Sequence, residues 1–280
     1  MKGVPGLRVR LMGDLEVEEC DPALLGRRQL RTVLKILALS HDRPVSTDRL
    51  VECLWMDRPP AGAADQISVL VSRLRRVAGP ERVKRTDAGY QLSVDWLDFD
   101  ALAASADEAE RRLEQGAVVA ARAAAATGLA LVRGPLLADE ADPWWAAPER
   151  AQAENLAERL RRAALTGAQI AHDWHDAAQQ ASAVLTIDPY NEFAAQALMS
   201  ALTRTGRRAS ALARYAELRL RLSEDLGIDP SPETEQLHTS ILLDELPTEG
   251  PVPGRRPREE RLSSHASTNC WPRYGTAAMS

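Results

Sequence analysis

Gln66-Ile67-Ser68-Val69-Leu70-Val71-Ser72-Arg73-Leu74-Arg75-Arg76-Val77, followed after Gly79-Pro80 by Arg82-Val83-Lys84-Arg85-Thr86 and Asp87-Ala88-Gly89-Tyr90-Gln91-Leu92-Ser93-Val94, is the stretch that decides the fold. Read as a helix, the first run gathers Ile67, Leu70, Val71, Leu74, Val77 and Ala78 into one apolar stripe. Ser68, Val69, Ser72, Arg73, Arg75 and Arg76 then occupy the other side. The second part predicts two short strands around a turn containing Gly89. A helix with small residues and guanidinium groups on its outer face, beside a basic hairpin, has the form of a DNA-binding winged helix.

The flanking sequence supplies the rest of such a domain. Leu7–Gly13 and Leu15–Glu18 alternate apolar and polar residues and predict two antiparallel strands meeting at Gly13-Asp14. A helix is expected over 27–40, with Leu30, Val33, Leu34, Leu37 and Ala38 on one face. Ser46 is placed to cap a second helix that buries Leu50, Val51, Leu54 and Trp55; Arg49 stands where a capping-box glutamate would. Pro59-Pro60 and Gly62 break the chain before the basic helix.

Charge divides the chain in the same place. The net charge is -5, but residues 1–95 hold 16 Lys+Arg against 13 Asp+Glu, whereas 96–245 hold 14 against 24. A basic head on an acidic body points to nucleic-acid contact through one part only. The bland alternative for Arg73, Arg75 and Arg76 is a solvated helix face in an arginine-rich chain with only three lysines.

After residue 95 the pattern is helical throughout, with helices expected at 98–115, 117–132, 145–171, 174–187, 190–205, 208–226 and 231–245. Gly116, Gly134-Pro135, Asp188-Pro189, Gly206 and Gly227–Pro230 supply the stops. Ala177 and Ala181 recur 34 residues later as Ala211 and Tyr215, the spacing of tetratricopeptide helix pairs. From about Pro247 the proline-rich sequence loses periodicity and predicts a disordered tail. The expected organisation is an α+β winged helix-turn-helix domain (1–95), an all-α tetratricopeptide-like helical-repeat domain (96–245) and a tail (246–280).

Cys20, Cys53 and Cys270 show no paired spacing, and no signal peptide or membrane span is visible, which together predict a cytoplasmic protein. His172 and His175 could share a helix face and bind a metal, but a solvated turn between helices is the reading preferred. Trp144-Trp145 is read as core rather than as a partner surface. No nucleophile–base motif is present, and neither an enzyme nor a cofactor is expected.

Taken in order, these pieces resemble the Streptomyces antibiotic regulatory proteins, which join an OmpR-type winged helix to a bacterial transcriptional activation domain. The resemblance covers roughly residues 5–245. It is carried by Arg43–Leu50, Leu54-Trp55, Val69–Arg76, Gly89-Tyr90, Ala141–Trp144, Leu202 with Gly206-Arg207, Ala211 and Tyr215, and Leu226–Glu233. No phosphate-cradling Gly-x-x-x-x-Gly-Lys run follows, so the chain is similar to the small, stand-alone members. The resemblance implies an activator that binds direct repeats beside a promoter −35 element as a head-to-tail dimer. It further implies recruitment of RNA polymerase through its sigma factor, at secondary-metabolite gene clusters.

The expected DNA contacts are Ser68, Val69 and Ser72 at base edges and Arg73, Arg75 and Arg76 at phosphates or a guanine. Lys84, Arg85 and Thr86 are expected on the backbone from the wing, and Tyr90 at the hairpin base, mainly as core. Asp65 and Leu70 depart from the family pattern and are expected to set which operator is read. The competing reading is a helical-repeat interaction or ligand-sensing protein whose winged helix serves for docking.

Overall fold

A computed structural model describes residues 6–18, 25–26 and 28–246. Two short strands, β1 (Arg8–Arg10) and β2 (Glu16–Val17), pair antiparallel as the alternation requires. Three helices follow: α1 (Arg28–Leu39), α2 (Thr47–Trp55) and α3 (Ala63–Ala78). Ser46 caps α2, its Oγ accepting from the Arg49 N–H at 3.1 Å, which satisfies one of the donors a helix start leaves open. The strands β3 (Val83–Thr86) and β4 (Gly89–Leu92) form an antiparallel hairpin.

Gly89 is the first residue of β4, and the turn itself is Asp87-Ala88. Its φ of 137° lies in the region that favours glycine. A Cβ there would overlap the carbonyl of Val45, because Val45 and Tyr90 exchange backbone hydrogen bonds, each at 2.8 Å. The residue is glycine so that the segment before α2 can lie against the hairpin.

Beyond the hairpin, β5 (Trp96–Leu97) returns to the first sheet and pairs parallel with β1, giving the order β2-β1-β5. Then come α4 (Asp98–Glu114), α5 (Val118–Leu129), α6 (Ala147–Ile170), α7 (Trp174–Ile187), α8 (Glu192–Arg204), α9 (Arg208–Arg221) and α10 (Pro232–Leu242). The helix expected to run on to residue 226 leaves α geometry at Leu222 for a single π turn, closed by Gly227 in the left-handed conformation. Ala177, Ala181, Ala211 and Tyr215 are all buried, so the 34-residue echo is the repeated packing of α7 and α9 against the helices that follow them.

The hydrophobic core does not stop at residue 95. One continuous cluster runs from Leu7 and Leu11 through Leu34, Leu74 and Leu97 to Leu136, Leu156 and Ala163. A second begins within the same long α6, at Leu165, and ends at Ile241. Three features close the seam between the N-terminal elements and the helical body. The Leu137 N–H donates to the Leu11 carbonyl at 2.8 Å and that of Ala138 to the Gly13 carbonyl at 3.0 Å. Asp98, fully buried, accepts the N–H groups of Leu11 (2.7 Å) and Met12 (2.9 Å). Lys35 of α1, also buried, lies 2.8 Å from both Asp139 and Glu140.

The tail expected over 246–280 lies, apart from Leu246, outside the described residues. Among the described residues no helix is long and apolar enough to cross a membrane.

Candidate functional site

Helix α3 buries Ile67, Leu70, Val71, Leu74 and Ala78 and turns Asp65, Gln66, Ser68, Val69, Ser72 and Arg76 to solvent. Val69 is 51% exposed, a large apolar group held on an otherwise polar face. Arg73 is half-buried at the edge of that face. Gly62, in the left-handed conformation, caps the helix, which begins at Ala63, three residues before the start of the run first read as helical. Asp65 therefore falls in the first turn, where a carboxylate meets the positive end of the helix dipole.

Two contacts fix the hairpin to the helix. The Arg75 Nε–H donates to the Val83 carbonyl at 2.9 Å, and the Tyr90 hydroxyl lies 3.4 Å from Ser68 Oγ. Tyr90 itself is 3% exposed, and the guanidinium of Arg85, its cross-strand partner, sits 5.6 Å above its ring. Thr86 Oγ1 donates to the Gly89 carbonyl at 3.3 Å, across the turn. Arg75 and Tyr90 thus frame the site from within. Leu70, 5% exposed, packs in the core and presents nothing to a ligand, contrary to the expectation that it sets which operator is read. Gln66, which the sequence reading passed over, lies beside Val69 and Arg73 on the outer face.

Among the described residues, Arg73, Arg76, Lys84 and Arg85 have no carboxylate partner. Several arginines of the helical body are paired instead: Arg159 bridges Asp107 and Glu110, and Arg122 bridges Asp173 and Asp176. The helix and hairpin hold together a set of unneutralised donors that fits an extended polyanion.

The bacterial transcriptional activator domain family matches residues 97–242. The chain belongs to that family. The chain is also similar to named regulatory proteins. AfsR of Streptomyces griseus is 32% identical over 241 residues, covering 81% of this chain and 24% of AfsR. DnrI of Streptomyces peucetius is 30% identical over 228 residues, covering 77% and 84%. The chain thus spans about a quarter of AfsR but most of DnrI. Among solved structures, that of Mycobacterium tuberculosis EmbR in complex with a low-affinity phosphopeptide superposes with a TM-score of 0.76 at 26% identity. It covers 85% of this chain and 65% of that one.

The activator-domain motifs have plain structural roles. Ser231 caps α10, and Glu192 Oε2 gathers the Ser231 N–H (2.8 Å), Ser231 hydroxyl (2.7 Å) and Thr234 hydroxyl (2.5 Å) around that helix start. Tyr215 stacks on His238, with ring centroids 3.6 Å apart. Its hydroxyl donates to Glu235, and burial together with that bond pushes its pKa up to about 12. Trp144 carries the guanidinium of Arg49 from α2 at 5.0 Å, a contact across the seam. His172, with φ of 54°, forms the turn before α7 and rests against Trp174. Among the described residues no three His, Cys, Asp or Glu side chains converge to hold a metal.

Proposed function

We propose that this chain is a sequence-specific DNA-binding transcriptional activator, with α3 as the recognition helix of a winged helix and the β3–β4 hairpin as its wing. The observation that carries the reading is the patch of four cations without carboxylate partners, set on a helix and hairpin that are pinned to each other. Ser68, Val69 and Ser72 are short enough to let α3 lie deep in a major groove, where the Val69 methyls fit a thymine methyl. Gln66 has the donor–acceptor pair that suits adenine. Arg73 and Arg76 reach phosphates or a guanine, and Lys84, Arg85 and Thr86 meet the backbone. The similarity to the Streptomyces regulatory proteins AfsR and DnrI, with the resemblance to the antibiotic regulatory proteins, supports promoters of secondary-metabolite genes as targets. Direct repeats beside the −35 element, a head-to-tail dimer and a sigma-factor contact complete the proposal.

A gel-shift titration on fragments from the neighbouring gene cluster tests it. Binding through four or more phosphates gives a log–log salt slope of roughly −0.9 per contact. Absence of retardation at low salt would sink the reading.

A further inference from the structure

In the helical body, helices α7, α8 and α9 enclose an open groove of about 900 Å³. Its floor is apolar: Leu198, Leu202 and Leu218. One wall carries Gln179, Ser182 and Thr186 of α7, polar side chains at helical spacing whose two hydroxyls donate to carbonyls of their own helix. The other carries Arg207, Arg214 and Arg221, seven residues apart and hence in line along α9.

We propose that this groove binds an extended acidic segment of a partner protein, with apolar side chains on the leucine floor and carboxylates on the arginine row.

Three observations select that occupant. The groove gathers three arginines in a body that is otherwise strongly acidic, with 24 acidic against 14 basic residues over 96–245. Among the described residues that line the groove, Glu217 is the one carboxylate, bonding Arg214 at 2.6 Å and Arg221 at 2.5 Å. Those two guanidiniums are thereby held in place with N–H donors to spare, while Arg207 has no ion pair among the described residues. An apolar floor under a cationic wall suits a chain whose side chains alternate between two faces, as an extended peptide's do. A phosphodiester backbone has nothing to place on leucine. From Arg207 to Arg221 the row spans roughly 21 Å, which about six or seven extended residues would cover.

The test is fluorescence anisotropy on the full chain, with a fluorescein-labelled peptide of about seven residues alternating glutamate and leucine. Binding that weakens with salt is expected, and a serine–leucine peptide should bind at least about tenfold more weakly. Ser210→Glu adds a carboxylate to the arginine wall without removing a native contact, and Arg207→Glu reverses a cation that has no ion pair. Each should lower affinity about tenfold while melting curves and promoter binding stay as in the parent. Equal binding of the serine–leucine peptide, displacement of the acidic peptide by duplex DNA, or unchanged affinity in both variants would overturn the proposal. Promoter binding is read separately, so the fate of the DNA-binding proposal does not decide this one.

Discussion

Lys35 Nζ and Glu140 Oε1 stand 2.8 Å apart across 105 residues of chain, one at 1% and the other at 7% exposure. With Asp139, Thr32 and Arg31 they form a polar cluster inside the seam that joins the N-terminal helices to the helical body. A buried ammonium remains charged only where carboxylates balance it, and removing one partner of such a set costs about 3–5 kcal/mol. Lys35→Ala should therefore lower the melting temperature sharply, whereas Lys35→Met combined with Asp139→Asn and Glu140→Gln should recover most of the loss. A Lys35→Ala protein that melts like the parent would show that this cluster does not hold the seam.

The same cluster sets a pH dependence. Burial pushes the carboxyls of Asp139 and Glu140 up, but the Lys35 ammonium and the neighbouring guanidiniums outweigh it, and both lie below the ordinary carboxylate range in the folded chain. Groups depressed on folding add stability that is present above their unfolded pKa values and lost as pH falls through the folded ones. Stability should thus be level through neutral pH and decline below about pH 4. In the neutralised triple variant, denaturant midpoints between pH 3 and 7 should show a flatter decline.

Arg73→Ala and Arg76→Ala should each weaken promoter binding while leaving helical circular dichroism unchanged, because neither side chain has a carboxylate partner among the described residues. Where the lost contact is to phosphate, the salt slope should fall by about one. Parental affinity in both variants would remove α3 from the interface.

Arg75→Ala should behave differently. The residue's hydrogen bond to the Val83 carbonyl fixes the hairpin, so affinity should drop with the salt slope unchanged. Amide exchange over Val83–Thr86 should quicken in the free protein. A changed slope with unchanged exchange would place Arg75 on the DNA instead.

Gly89→Ala sets a Cβ against the Val45 carbonyl at a φ that favours glycine. It should destabilise the chain by at least about 1–3 kcal/mol, read as a shift in denaturant midpoint with unchanged m-value.

Much of this architecture is visible in the sequence because it rests on local periodicity. The apolar spacing of α3, the Ser46 cap and α7, which runs from Trp174 to Ile187 as expected, follow from residues within a turn or two of each other. The seam does not. Residues 133–140 have no helical or strand period, and their partners, Leu11, Gly13 and Lys35, lie about a hundred positions earlier. Lys35 sits among the apolar residues of an otherwise regular helix, and in a chain with three lysines its place there is the one local sign of a buried partner. Tyr90 is core at the hairpin base, as its place there implied, but the framing role of Arg75 was hidden for a related reason: residue type marks a side chain as able to bind DNA, and only packing shows that it is already engaged.

The parallel pairing of β5 with β1 bears on how such chains could be recombined. Exchanging N-terminal units between relatives by joining them at residue 95 would sever a strand from its sheet and expose Leu11, Met12 and Leu97 together. A working hybrid would have to carry the 133–140 segment with the head it docks against. Heads and bodies in this architecture should therefore be inherited as matched pairs rather than as interchangeable parts.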